Sequence, residues 1–286
     1  MVITRIILAC LLLASVPAAA GCGEETSAGA SDRHDVVAAF YPLAYAAEEI
    51  GEGRVDVANL TPPGAEPHDL EVSPRDVQQI RDADLVLLLG RGFQPQLEEA
   101  VGDGESVVRL LDTDGLRRFP NGDPHIWLDP LRYALVAKRI GSVLDGEAAA
   151  GRFVARLHAL DREYRTGLRD CARREIVTSH EAFAYLADRY GLRQVAITGL
   201  SPEAEPAPQD VARVVALIRL TDATTVFFET LVSPRLAETV ARETQAKTAV
   251  LNPIEGLTPD QAEAGEDYFS LMRANLRALR GALGCH

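Results

Sequence analysis

From Asp35 onward, short β-branched apolar runs alternate with longer stretches in which apolar residues return every three or four positions. The short runs lack polar alternation, as expected of strands buried on both faces of a parallel sheet, and the longer ones fit the crossover helices such a sheet requires. The pattern predicts strands at 35–40, 54–60, 85–89 and 106–111, and a second set at 175–179, 194–198, 225–228 and 248–251. Helix starts are also legible. Ser73-Pro74 and Ser233-Pro234 place Pro at the first helical position behind a hydroxyl cap, and Thr258-Pro259-Asp260-Gln261 forms a capping box.

Between the two strand sets, residues 148–172 carry Phe153, Leu157, Leu160, Tyr164 and Leu168 on one helical stripe, with Arg152, Arg156, Arg162, Arg165 and Arg169 off it. A helix of that length spans roughly 37 Å, enough to act as a stiff backbone for both halves. The expected fold is therefore α/β, two lobes with central parallel sheets joined by a long rigid backbone helix. Its expected parts are an N-terminal lobe at 35–146, the linking helix at 147–172 and a C-terminal lobe at 173–286.

Ahead of the folded part, Arg5 precedes an apolar run from Ile6 to Ala20, too short to span a bilayer and followed by small residues. This reads as an export signal over 1–21. Its ending, Ala19-Ala20-Gly21-Cys22, resembles a bacterial lipobox, which implies cleavage before Cys22, lipidation of that cysteine and a membrane held by the lipid anchor. The alternative is an ordinary cleaved signal, since Ala19 stands where a lipobox usually has Leu. Residues 22–34, small and polar at first, suit a flexible tether.

The chain of 286 residues holds 29 Lys+Arg against 42 Asp+Glu, a net charge of −13, which repels nucleic acid and favours cations as small partners. Four cysteines, without a C-x-x-C pair, exclude a disulfide scaffold and a thiolate zinc knuckle. Cys171 and Cys285 are the two thiols left to the exported fold, and an oxidising compartment permits them to pair; the bridge would close a loop of roughly a hundred residues and contribute about 4–5 kcal/mol.

Six histidines occur, three of them in segments shaped for a site. His68 lies in LTPPGAEPHDLEVSP after the second predicted strand, His125 in GDPHIWLDP before a helix near Pro130, and His180 in SHEAFAYLADRYGL at the end of the first strand of the second set. Ligands of open α/β sheets gather at the carboxyl ends of strands, so the cleft between the lobes is the expected site. Imidazoles suit zinc better than manganese or magnesium, which favour oxygen ligands. His34, His158 and His286 are assigned no metal role. His180-Glu181 opens a zincin-like pattern that fails at Ala184, and no phosphate-binding loop or nucleophile elbow occurs. A three-histidine zinc with an open position keeps a secreted zinc hydrolase as an alternative.

At these residues the sequence resembles the solute-binding lipoproteins of bacterial zinc/manganese ABC importers, the metal-specific cluster A-I group. The matching stretches include AFYPLAYAAEEIG, DPHIWLDP, VFFETLVSPRLAETVARET and LNPIEGL as well as those around His68 and His180. The resemblance implies metal ligands at His68, His125 and His180, Zn(II) as the transported ligand, and an ABC permease with its ATPase as partners, the protein being a monomer and no enzyme. Manganese-type relatives tend to carry a carboxylate at the third position, so His180 favours zinc; a Mn(II)-binding homologue and a surface adhesin are the alternatives. Two departures bear on the site. Many relatives place an Asp ligand after the last strand of the second lobe, where this chain reads Leu251-Asn252-Pro253-Ile254-Glu255, and the fourth position is expected to be water, with Glu255 second to it. The His-rich loop of many zinc-type members is missing from 112–123. Asp69, Glu181 and Glu229 are candidates for orienting the ligands, and binding is expected to weaken as pH falls through about 6.5. The stiff helix predicts small motions of the lobes.

Overall fold

A computed structural model describes residues 33–286; the export signal, Cys22 and most of the tether lie outside the described residues. Two four-stranded parallel sheets are present. The first contains β1 (His34–Ala38), β2 (Val55–Asn59), β3 (Leu85–Leu88) and β4 (Val107–Arg109) in the order β2-β1-β3-β4, and the second β5 (Glu175–Thr178), β6 (Arg193–Ala196), β7 (Thr225–Phe228) and β8 (Lys247–Val250) in the order β6-β5-β7-β8. All eight fall within a residue or two of the predicted runs. The central strands are sealed on both faces, as in Leu85–Leu88, whereas β8 at an edge is largely exposed and starts with Lys247, a charge that discourages pairing with another chain. In each sheet the strand order reverses beside the first strand, which opens a crevice beyond the carboxyl ends.

The helices are α1 (Tyr41–Gly51), α2 (Pro74–Asp82), α3 (Pro95–Val101), α4 (Pro130–Val143), α5 (Glu147–Gly167), α6 (Ala184–Tyr190), α7 (Pro208–Thr221), α8 (Arg235–Thr244), α9 (Pro259–Glu263) and α10 (Tyr268–Leu283). Thr258 caps α9 with Gln261 and Ser73 caps α2, as read from sequence, and the structure adds a reciprocal bond in which Asp76 accepts from the Ser73 backbone N–H. A third box, Asp267 with Ser270, starts α10. One start moved: α8 begins at Arg235, with Pro234 just outside it and no side-chain cap.

The spine is α5, shorter at its end than expected. Its buried stripe is Phe153, Leu157, Leu160 and Tyr164, with Leu168 just beyond, and the arginines face out. It ends at Gly167 because the guanidinium of Arg174 takes the carbonyls of Leu168 and Arg169, and Cys171 turns away to bond Cys285 after α10. Against α4 the spine packs through Gly141, where a Cβ would lie 2.5 Å from that of Ala150. The apolar core runs without a break from the first sheet along α5 and α10 to Phe183, Tyr185, Phe227 and Ile254 in the second half; a smaller cluster around Val177, Val214, Val226 and Val240 fills the far side of the second sheet. No helix among the described residues is long and apolar enough to cross a membrane.

Candidate metal centre

Beyond the carboxyl ends of both sheets, His68, His125, His180 and Glu255 each offer one ligand atom, and these atoms lie within 4.8 Å of one another. His68 sits in a short helical turn, Pro67–Asp69, where Glu66 Oε2 accepts from its backbone N–H at 2.9 Å and the ring meets Phe93 edge-on. His125 precedes a second such turn, Ile126–Leu128, which leads into α4. Asp123 Oδ1 accepts from both its backbone N–H (2.9 Å) and Nδ1 (2.8 Å). His180 follows β5; its carbonyl accepts from Thr178 Oγ1 and Gln194 Nε2, and its Nδ1 donates to Glu229 Oε1 at 2.6 Å. Because His125 and His180 each use Nδ1–H on a carboxylate, it is their Nε2 atoms that face inward.

Glu255 completes the set from a loop held by several bonds. Asn275 of α10 exchanges two hydrogen bonds with the Asn252 backbone, Trp127 Nε1 donates to Pro253 O at 2.7 Å, and Tyr268 Oη donates to Trp127 O. Ile254, a β-branched residue, sits at φ +58°, a costly conformation that aims the next side chain inward. Glu255 Oε1 lies 3.2 Å from His68 Nε2, 2.8 Å from His125 Nε2 and 3.6 Å from His180 Nε2, and the last two nitrogens are 3.5 Å apart. A tetrahedral zinc with bonds near 2.1 Å has ligand atoms about 3.4 Å apart. The donor set thus fits one such ion, with Glu255 where water had been expected.

The charges are strongly coupled. At His180 burial opposes the imidazolium, but hydrogen bonds to Glu229 and Glu255 outweigh it and push the pKa up to about 10. Burial is likewise overcome at His125, by Asp123 and Glu255, and its pKa is raised. Burial would raise Glu255, yet hydrogen bonds from His125, His180 and His68 hold its carboxyl well below the usual range. Glu66, buried beside the charge of Glu255, is pushed up to about 9.

All three histidines singled out in the sequence meet here, although 55 residues separate even His125 from His180. His34, His158 and His286 are exposed and remote from the cluster. Of the candidate orienting groups, Glu229 holds His180, Glu181 accepts from Asn121, and Asp69 is exposed. Asp123 was missed; its position two residues before His125, with its side chain folded back on the backbone, is the signal that could have revealed it. The side chains of His125, His180 and Glu255 are at most 1% exposed, and that of His68 is 12% exposed, which makes His68 the ligand nearest solvent.

Two doubly wound sheets flanking a buried cluster of ligand-capable side chains are the architecture of two-lobed α/β solute-binding proteins. Residues 36–282 match the profile of the family described as "Zinc-uptake complex component A periplasmic", and the chain belongs to that family, ZnuA. It is 32% identical to the high-affinity zinc uptake system protein ZnuA of Bacillus subtilis, over 97% of this chain and 96% of the relative. The Zn(II)-bound ZnuA-like domain of Streptococcus pneumoniae AdcA aligns with a TM-score of 0.75 at 33% identity, over 88% of this chain and 99% of that domain. The laminin-binding protein Lmb of Streptococcus agalactiae, described as having adhesin and metal-transporting activity, aligns with a TM-score of 0.79 at 30% identity, over 87% and 99% of the two chains.

Proposed function

We propose that this chain captures Zn(II) outside the cytoplasmic membrane with His68, His125, His180 and Glu255 and delivers it to an ABC permease driven by its ATPase. The observation that carries this reading is the convergence of four ligand atoms within 4.8 Å of one another, with Glu255 Oε1 2.8–3.6 Å from the three Nε2 atoms, near the edge length of a zinc tetrahedron. Three neutral imidazoles and one carboxylate also suit zinc better than a hard cation. Asp123 and Glu229 orient His125 and His180 and raise their basicity as ligands. Four protein ligands fill a tetrahedral shell, whereas a hydrolytic zinc keeps a position open for water. That argues for carriage of the ion rather than catalysis.

In the same reading the protein acts as a monomer and is held at the membrane by acylation of Cys22. Titrating metal-free protein with zinc tests the binding function: one equivalent should bind, and replacing His68, His125 and His180 together by Ala should abolish binding. Unchanged affinity in that variant would overturn the reading. Intact-mass measurement of membrane-extracted protein tests the anchor, since an unmodified mass would remove it from the scheme.

A further inference from the structure

The segment between Leu110, just after β4, and His125 is tied across the cleft to α6 of the second half. Tyr185 of α6 is fully buried, and its hydroxyl accepts from Phe119 N (3.0 Å) while donating to Asp123 O (3.1 Å). Its ring stacks on Phe119 at 4.4 Å between centroids, and the Arg132 guanidinium lies 4.7 Å from the Tyr185 ring. Arg132 in turn donates to Arg117 O at 3.0 Å and approaches Asp188 of α6 at 3.6 Å. Asn121 adds a longer bond to Glu181, next to His180. Asp123, at the end of this segment, sets the ring of His125.

We propose that Tyr185 is a positioning residue for zinc: by holding Phe119 N and Asp123 O together, it couples the docking of the second half to the orientation of His125. This rests on the zinc reading above. The physical reason is that Asp123 directs His125 Nδ1 through one oxygen, while its other carboxylate oxygen is buried without a hydrogen-bond partner. Both bonds of the carboxylate, to the backbone N–H and to Nδ1 of His125, stay within its own segment, and the backbone that carries it is held from α6. With the hydroxyl removed, the segment keeps its aromatic stack but loses both bonds, and the His125 ring gains freedom to turn away from the ion. The effect belongs mainly to the rate at which zinc leaves.

The test is stopped-flow release of zinc from the purified, zinc-loaded protein to a chromophoric chelator. Tyr185→Phe should release zinc about tenfold faster than wild type, the low end of what loss of an orienting partner costs. Tyr190→Phe, which removes a hydroxyl bonded to Asp161 on the same helix, should stay within about twofold of wild type. Asp123→Asn should release faster still, and adding Tyr185→Phe to it should change the rate by less than about twofold, because both act through one bond. A wild-type rate in Tyr185→Phe, or a full multiplication of the two effects in the double variant, would overturn the proposal. Failure of wild type to load zinc would instead overturn the zinc reading, so the two outcomes are distinct.

Discussion

The imidazoles of His125 and His180 each have two nitrogens with different tasks, and the carboxylates of Asp123 and Glu229 decide which one faces the cluster. Glu229 accepts from His180 Nδ1, so Glu229→Gln should lower zinc affinity about 10–100-fold while the fold persists, measured by competition with a chelator of known affinity. The same carboxylates change the pH behaviour expected from sequence. With metal absent, the pKa values of His125 and His180 are raised, the latter to about 10, so the His180 imidazolium persists through neutral pH and protons compete with zinc. Apparent affinity should therefore keep rising above pH 6.5, toward about 10, and binding should release protons at pH 7.5. Calorimetry in buffers of different ionisation heats reads that release directly; a heat independent of buffer would contradict it. His68, His125 and His180 were legible because each stands in a Pro- or strand-flanked segment. Asp123 was not, and Glu255 stood only second to water, since an acidic residue in a loop looks the same in sequence whether it faces solvent or an imidazole.

Among the elements, the spine and its neighbours show where local signals suffice and where they stop. The apolar stripe of α5, the hydroxyl cap at Ser73 and the capping box at Thr258 are short-range patterns, and they formed where they were read. The end of α5 coincides with bonds from Arg174, a few residues on, and with the Cys171–Cys285 bridge to a distant segment, neither of which the spacing of the stripe contains. That bridge fastens α10 to the end of the spine. Cys171→Ser with Cys285→Ser should cost about 2–5 kcal/mol of unfolding free energy, measured by urea denaturation without reductant. The α4–α5 contact depends on a missing side chain: a Cβ at Gly141 would meet that of Ala150 at 2.5 Å, so Gly141→Val should lower the melting temperature through overpacking of about 1–3 kcal/mol.

At the scale of the described molecule, residues 33–286, the two sheets share one continuous apolar core alongside the cleft that holds the cluster. Tyr164 Oη donates to Met272 O, and Asp161 joins Arg189 and Tyr190 of α6 to the spine, so α5, α6 and α10 move together. Closely packed interiors resist continuous deformation. Small-angle scattering of metal-free and zinc-loaded protein should accordingly give radii of gyration that agree within about 1 Å, as the stiffness of a helical spine implies; a larger change would mean hinge closure through the core.

By itself the sequence determined the alternation of strands and helices, the division into two strand sets, the caps that start α2 and α9, and the three histidines. These are encoded in periodicity and in residues acting on neighbours a few positions away. Only the tertiary structure brought Glu255 beside the three histidines, Asp123 and Glu229 onto the rings of His125 and His180, and Tyr185 onto the segment before His125. Apart from Asp123, which lies two residues from His125, each depends on atoms brought together from positions far apart, Glu255 through the strained backbone at Ile254 and the hydrogen bonds that hold it, and burial then couples their charges in a way no linear pattern records.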